Sequence, residues 1–187
     1  LKKSLLTGLP LKENIASAHE SAQRDWRSAR LAAKRALGFD EQTPLIFIFG
    51  GSQGSVAINE VIARSQQAIT SQGVNILHGV GARSVLPESK NGYKAINYIS
   101  DMATAYLAAD LIIARSGAVT CAEVNTLGRY ALFIPLPIGN GEQNLNAASL
   151  ISQGRAEILP QAQFTAEWIV ANLSRLLALS SAAPISG

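Results

Sequence analysis

Short apolar runs alternate with longer segments of helical character along most of the chain. The run Leu45–Phe49 is apolar at every position, which is typical of a strand buried on both faces of a parallel sheet. Five further runs of this kind predict strands at residues 74–77, 95–99, 111–114, 131–134 and 157–159. Helices are predicted between most of them, at 55–71, 101–108, 117–127, 143–153 and 165–179. This alternation predicts βαβ units and a doubly wound parallel sheet of the α/β class.

The segments at the two ends have a different character. Residues 14–38 are rich in Ala, Arg, Lys, Glu and Gln and end at a glycine, which predicts one long surface helix leading into the domain. The stretch 82–94 contains Pro, Asn and Gly and predicts a loop, and the tail from Ser180 predicts a frayed end.

Composition narrows the functional classes. The 187 residues are 48% apolar and 16% charged, which predicts a single folded domain. The net charge of +3 suits an anionic ligand or a membrane surface. The Lys and Arg residues are scattered rather than clustered, which predicts no nucleic-acid partner. No apolar run approaches the roughly 20 residues that span a bilayer, and we expect a soluble chain. No His, Cys and Asp cluster has metal-ligand spacing, which predicts no bound metal.

The glycine-rich segment Gly50-Gly51-Ser52-Gln53-Gly54 directly follows the first predicted strand and opens a helix. Glycines at such a junction let the backbone approach a ligand closely, and the amides at the helix start favour a phosphate. The segment has neither the GxGxxG spacing of dinucleotide sites nor the GxxxxGK[ST] spacing of P-loops. A plain strand-to-helix turn is the alternative interpretation.

A second strand-to-helix junction, Arg115-Ser116-Gly117-Ala118, repeats the arrangement. Ser116 is a candidate N-cap, and Gly117 leaves the backbone open. With a helix starting near Gly117, Ser116, Thr120 and Glu123 share one helix face. The Glu123 carboxylate could then accept two hydrogen bonds from the vicinal hydroxyls of a ribose, although a solvated surface glutamate is the plainer alternative.

A third cluster follows a predicted strand at residues 138–146 and is dense in amide side chains. Amides both donate and accept hydrogen bonds, which suits sugar hydroxyls. An Asn- and Gly-rich loop that caps a helix is an equally good interpretation.

Four groups of residues occur in the order found in a known enzyme family. They are Gly50-Gly51-Ser52-Gln53-Gly54 with Asn59, Tyr98-Ile99-Ser100-Asp101-Met102, Arg115-Ser116-Gly117-Ala118 with Thr120 and Glu123, and Glu142-Gln143 with Asn146-Ala147. On these positions the chain resembles the C-terminal domain of the bacterial N-acetylglucosaminyltransferases that act on undecaprenyl-diphospho-muramoylpentapeptide (lipid I). Residues 7–12 also resemble the interdomain stretch of that family.

The resemblance implies a Rossmann-like C-terminal domain of a GT-B glycosyltransferase. Residues 1–13 would be an interdomain segment and 14–187 the domain that binds UDP-N-acetylglucosamine (UDP-GlcNAc), with no cofactor. The chain begins with Leu1, so we expect a fragment that lacks the acceptor-binding N-terminal domain and the general base. The parent protein would transfer N-acetylglucosamine to lipid I in peptidoglycan synthesis, from the cytoplasm, at the inner face of the plasma membrane.

The resemblance also implies a role for individual residues. Gly51, Ser52, Gln53 and Gly54 would lie at the diphosphate and nucleotide, and Ile99 would meet uracil through its backbone. The start of the second helix, at Ser116, Gly117 and Ala118, would neighbour the phosphates, and Glu123 would hold the ribose. Gln143 and Asn146 would bind the sugar hydroxyls, Arg115 would support the site, and Lys12 is a possible phosphate contact. Leu9, Lys12 and Glu142 depart from the residues usual in the family.

Three other functions stay open on the sequence. A related enzyme such as a UDP-GlcNAc 2-epimerase should carry its own acid and base in the cleft, and no convincing pair is present. A non-catalytic nucleotide-sugar-binding module and an α/β domain with another nucleotide ligand are the remaining two.

Overall fold

In the computed structural model, residues 11–137 and 141–183 are described, and within them six parallel strands form one sheet. The order along the sheet is β3-β2-β1-β4-β5-β6. The strands are β1 Leu45–Phe49, β2 Asn75–Gly79, β3 Tyr93–Ile96, β4 Leu111–Ala114, β5 Ala131–Phe133 and β6 Ala156–Ile158. The predicted α/β class and doubly wound parallel sheet are therefore confirmed.

Seven α-helices accompany the strands in the described residues. They are α1 Glu13–Ala22, α2 Trp26–Ala36, α3 Val56–Thr70, α4 Met102–Ala108, α5 Ala118–Thr126, α6 Glu142–Ser152 and α7 Ala166–Ala182. A short 3-10 helix, Gln161–Gln163, precedes α7.

The sheet is covered by helices on both faces, so its strands are apolar on both sides. Leu45, Phe47 and Phe49 of β1 face a core that also contains residues of α1, α2, α4, α5 and α6. Ile46 and Ile48 face a second core, formed with α3 and α7. Successive side chains of a strand point to opposite faces, and all five residues of β1 are buried. This is the physical reason for the unbroken apolar run that predicted the strand.

The point at which the strand order reverses positions the candidate site. β1 pairs with β2 on one side and with β4 on the other. Phe49, the last residue of β1, is in register with Gly79 and Ala114, the last residues of those two strands. Three connections therefore start side by side at the carboxyl edge, where open α/β sheets bind ligands: those after β1 and β4 lead into α3 and α5, and the one after β2 leads to β3.

The prediction of one long helix over residues 14–38 is wrong. The chain turns between α1 and α2, and Asp25 caps α2 by accepting a hydrogen bond from the Ser28 backbone N–H at 3.0 Å. An aspartate side chain that bonds the backbone favours such a cap over a helix interior, which the composition of the segment concealed.

Two boundaries at the ends of predicted segments also differ. The first residues of the tail predicted to fray from Ser180 continue α7 to Ala182, and the Ser180 hydroxyl donates to the backbone oxygen of Asp110. Residues 184–187 of that tail lie outside the described residues. The loop predicted over 82–94 gives way to β3 at Tyr93, because Tyr93 and Lys94 pair in parallel with Ile76 and Leu77 of β2.

Candidate functional site

A cleft of about 160 Å³ lies at the carboxyl edge of the sheet, beside the ends of β1 and β2. One part of its lining is apolar and comes from Phe49, Ile99 and Met102. Another part is polar or bare backbone. It comes from Gly51, Ser52, Gly79, Gly81, Asn97, Thr120 and Glu123, with Lys12 also in the lining. The cleft therefore combines a surface suited to a flat apolar group with groups suited to hydroxyls and phosphates.

The glycine-rich loop lies against the connection that follows β2. Gly51 and Gly54 have φ angles of 95° and 84°, and the Gly54 N–H bonds the Gly51 carbonyl at 3.0 Å. A Cβ on Gly54 would lie 2.2 Å from the Val80 carbonyl oxygen, and a Cβ on Gly81 would lie 2.2 Å from the Gly54 nitrogen. The two backbones touch at a distance that only glycine permits, which holds the loop at the cleft.

A buried chain of polar side chains supports this contact. Asn59 donates to the Val80 carbonyl at 2.9 Å and to the Ser84 hydroxyl at 3.2 Å. Its Oδ1 lies 3.0 Å from Nε2 of His78, and Nδ1 of His78 lies 2.9 Å from the Tyr93 hydroxyl. An amide oxygen only accepts, so we assign the His78 proton to Nε2 and the role of acceptor to Nδ1. Burial lowers the pKa of His78 to about 4, so this neutral form is present at pH 7.

Arg115 bonds three segments at the sheet edge, which follow β1, β5 and β6. Its guanidinium donates to the carbonyls of Ile134 and Pro135 at 2.9 and 3.0 Å. It also donates to the Ser55 hydroxyl at 2.7 Å and to Gln161 Oε1 at 2.6 Å. Ser55 is the N-cap of α3, so the fork fixes the start of that helix relative to the end of β5. Burial lowers the pKa of the Arg115 guanidinium from its usual value.

The prediction that Ser116 caps α5 is wrong. The helix begins at Ala118 with Gly117 as N-cap, and no side chain caps it. Ser116 is fully buried, and its hydroxyl has no partner among the described residues. A Cβ on Gly117 would meet nothing within 4 Å, so the backbone there is open. The uncapped N–H groups at the start of α5 are thus available to an anion.

Glu123 is buried, contrary to the alternative of a solvated surface residue. Only 4% of the residue is exposed, and its Oε2 accepts a hydrogen bond of 2.8 Å from the Tyr106 hydroxyl. Burial and the neighbouring Glu123 charge hold the pKa of Tyr106 well above its usual value, so the phenol keeps its proton. Among the described residues no donor reaches the second carboxylate oxygen, Oε1, while Glu123 lines the cleft.

The two amides predicted to bind sugar hydroxyls lie outside the lining of this cleft. Gln143 borders a neighbouring hollow with Gly54 and Arg115, and its Oε1 accepts from the Leu136 backbone N–H at 2.9 Å. Asn146 donates to the Ser116 carbonyl at 3.0 Å, which ties α6 to the start of α5. Each amide therefore already has one structural contact.

The structure brings some of the predicted residues together and leaves others apart. Lys12, Gly51, Ser52, Ile99 and Glu123 line the cleft. The rest of the predicted set is outside its lining, namely Gln53, Gly54, Arg115, Ser116, Gly117, Ala118, Gln143 and Asn146. Residues 1–10, with Leu9, and residues 138–140 of the amide-rich cluster lie outside the described residues.

Several residues of the site were not singled out by sequence reasoning. Phe49 was predicted only as a strand residue and Met102 only as part of a motif. Tyr106 joins the site through a contact between distant segments. The signal for Tyr106 was weak, since a lone tyrosine in an alanine-rich helix is most often a core residue.

The described residues contain neither a metal-binding cluster nor a membrane-spanning helix. No group of three or more His, Cys, Asp or Glu residues there could hold a metal ion. No helix within residues 11–137 and 141–183 has the length and apolar character needed to cross a membrane.

Comparisons with family models and with known proteins agree on one family. Residues 45–184 match the glycosyltransferase family 28 C-terminal domain. A Corynebacterium glutamicum (strain R) protein named UDP-N-acetylglucosamine--N-acetylmuramyl-(pentapeptide) pyrophosphoryl-undecaprenol N-acetylglucosamine transferase is 39% identical over 165 residues, which cover 88% of this chain and 45% of that protein. A Streptomyces coelicolor protein of the same name is 37% identical over 95% of this chain and 49% of its own length.

Solved structures agree with the sequence relatives. The crystal structure of Acinetobacter baumannii MurG superposes with a TM-score of 0.64 at 30% identity, over 81% of this chain and 48% of that chain. The calicheamicin glycosyltransferase CalG4 has a TM-score of 0.62 at 16% identity, over 75% of this chain and 37% of that chain, which supports the fold alone. The chain spans about half the length of the curated relatives it matches. With its parallel sheet and the match over residues 45–184, the chain belongs to the glycosyltransferase family 28 C-terminal domain family.

Proposed function

We propose that this chain is the donor-binding half of an inverting hexosyltransferase that transfers N-acetylglucosamine from UDP-GlcNAc to lipid I and so forms lipid II. The observation that carries the proposal is the buried Glu123 carboxylate in a cleft at the carboxyl edge of the sheet, close to the uncapped start of α5. The names of the 35–39% identical relatives support the choice of donor and acceptor.

The nucleoside fits the cleft on the side of β1 and α4. Phe49, Ile99 and Met102 supply the apolar surface against which uracil lies, and the backbone N–H and C=O of Ile99 bond its edge. Glu123 accepts hydrogen bonds from the ribose hydroxyls. Bonds to an ionised carboxylate in a sheltered cleft are the stronger kind, which makes this contact the main source of nucleoside affinity.

The diphosphate is held at the starts of two helices. α3 begins at Val56, after the glycine-rich loop and its N-cap Ser55, and α5 begins at Ala118, after Gly117. The free N–H groups and the positive end of each helix favour the negative charge that grows on UDP as it leaves. Lys12 adds a cation from the cleft lining. These groups stabilise the leaving group without a metal ion or cofactor.

The sugar and the acceptor are assigned to the other side of the diphosphate. Gln143 and Asn146 bind hydroxyls of N-acetylglucosamine with the amide atoms that their structural contacts leave free. A hydroxyl of lipid I attacks the anomeric carbon, the bond to UDP breaks, and the configuration at that carbon inverts. We assign the general base, the lipid I site and the contact with the cytoplasmic face of the plasma membrane to parts of the protein beyond these 187 residues.

The test is isothermal titration of the 187-residue chain with UDP-GlcNAc, UDP-N-acetylgalactosamine and ADP-glucose. We expect weak, selective binding of UDP-GlcNAc and no transfer to lipid I by this chain alone. Glu123→Ala should lower the affinity about tenfold or more, because hydrogen bonds to a charged group are lost.

Glu157→Ala is the matched control. Glu157 is another glutamate, but it lies on β6 and pairs with Arg175 at 2.7 Å, away from the cleft. This variant should bind UDP-GlcNAc like the unmodified chain. Absence of binding by any uridine nucleotide to the folded chain, or equal losses in the two variants, would contradict the proposed site.

A further inference from the structure

Tyr106 reaches the cleft from a different helix than the carboxylate it contacts. It lies on α4 and is fully buried, and its hydroxyl donates to Oε2 of Glu123 on α5 at 2.8 Å. Tyr106 itself borders the cleft beside Glu123. The contact joins the helix after β3 to the helix after β4 within the binding surface.

The tyrosine ring is held in one position. It meets Phe47 and Phe49 edge to face, with ring centroids 5.7 and 5.9 Å apart. Both phenylalanines belong to β1, the central strand of the sheet, so the hydroxyl is presented from a rigid base. A side chain fixed in this way can fix the side chain it bonds.

The two carboxylate oxygens of Glu123 therefore have different roles. Oε2 is occupied by the phenol, and among the described residues no donor reaches Oε1. A carboxylate without such a partner can rotate about its last bond and present either oxygen in many directions. With the phenol in place, the group is preorganised to accept hydrogen bonds from a ligand in the cleft, which lowers the ordering cost of binding.

We propose that Tyr106 is a positioning residue that orients the Glu123 carboxylate toward the ribose 2′-hydroxyl and so sets the preference for ribonucleotide over 2′-deoxyribonucleotide donors. This inference rests on the proposed function, because it requires that Glu123 meets a ribose. It assigns specificity to a residue that need not touch the nucleotide.

The experiment compares UDP with 2′-deoxy-UDP by isothermal titration in the unmodified chain and in Tyr106→Phe, which keeps the ring and removes one oxygen. The unmodified chain should prefer UDP by about tenfold or more, as for a hydrogen bond to a charged group. In Tyr106→Phe the preference should fall to about threefold or less, with the Kd for 2′-deoxy-UDP changed about twofold or less. A purely structural role would weaken both ligands equally and leave their ratio unchanged.

Tyr130→Phe is the matched control. Tyr130 is also a buried tyrosine beside a glutamate, Glu157, but it belongs to the core on the other face of the sheet. Its substitution should leave the ratio of the two affinities as it is in the unmodified chain. An unchanged ratio in Tyr106→Phe, or an equal fall in the Tyr130 variant, overturns the inference.

A second pair of variants, with glutamine in place of Glu123, tests the inference if Tyr106→Phe does not fold. Glu123→Gln and the double variant Glu123→Gln/Tyr106→Phe contain no unpaired buried charge at this position. The preference for UDP should be smaller in the double variant, because only the single variant keeps the phenol that orders the amide. Equal ratios overturn the inference while the proposed function stands, whereas failure of the unmodified chain to bind either nucleotide refutes both.

Discussion

His78 is predicted to make the folded chain sensitive to acid. It is 1% exposed, and its two ring nitrogens bond Asn59 and Tyr93 in the neutral form. Burial lowers its pKa from 6.5 to about 4, because the charged ring would lie in a poorly solvated core. The unfolded chain takes up the proton near pH 6.5, and the folded chain does so only near pH 4. Stability is therefore full above pH 6.5 and is lost as the pH falls toward 4.

The size of the effect follows from the two pKa values. Their difference of about 2.5 corresponds to roughly 3 kcal/mol at full effect, since each factor of ten in proton affinity is about 1.4 kcal/mol. At pH 4.5 most of this loss, roughly 2.5 kcal/mol, should already be present. That is a large part of a typical stability of about 5–15 kcal/mol.

The assay is urea unfolding followed by tryptophan fluorescence between pH 7.0 and 4.5, for the unmodified chain and for His78→Gln. Glutamine does not titrate in this range. The free energy of unfolding of His78→Gln should therefore fall by roughly 2 kcal/mol or more less than that of the unmodified chain between pH 7.0 and 4.5. Carboxylates that titrate in this range contribute equally to both proteins and cancel in the comparison. Parallel curves for the two proteins would refute the reasoning, whatever the offset between them at pH 7.

Two further substitutions test the loop contact and a charge cluster by urea unfolding at pH 7. Gly81→Ala should cost roughly 3 kcal/mol or more, because its Cβ would meet the Gly54 nitrogen, whereas Gly73→Ala has a similar positive φ but open space and should cost only about 1 kcal/mol. Equal losses would show that the backbone contact does not matter. Asp110→Asn removes the charge that pairs with Arg30 and with Lys34, at 2.7 Å in the latter case, and should cost roughly 2 kcal/mol. A loss of about 0.5 kcal/mol, as for an ordinary surface change, would contradict this.

The fold was predictable where sequence pattern and local chemistry act together. β1 was located from an unbroken apolar run between a proline and a glycine pair, and an apolar run without such flanking residues located β4 at residues 111–114. The break between α1 and α2 was missed, because the Asp25 cap is decided by one side chain within a segment that otherwise favours helix.

The site was less predictable, because long-range contacts decide it. Glu123 has the spacing of a helix residue that could face solvent or ligand, and its burial and its hydrogen bond from Tyr106 of α4 arise only when the helices pack together. Serine is a residue type that favours an N-cap, but Ser116 lies one residue before the cap of α5 and is buried. Such outcomes depend on which segments meet in space, and periodicity within one segment contains no information about that.

The loop between β5 and α6 has a consequence for how donor specificity can diverge. Gln143, in the first turn of α6, accepts a hydrogen bond from the Leu136 backbone N–H, whereas the surfaces assigned to the nucleoside come from β1, α4 and α5. In the proposed function, sugar recognition and nucleoside recognition therefore fall on separate stretches of chain, which Arg115 and Asn146 join to each other. On the proposed assignment, exchange of residues 136–146 between relatives should transfer the choice of sugar and leave the preference for uridine unchanged.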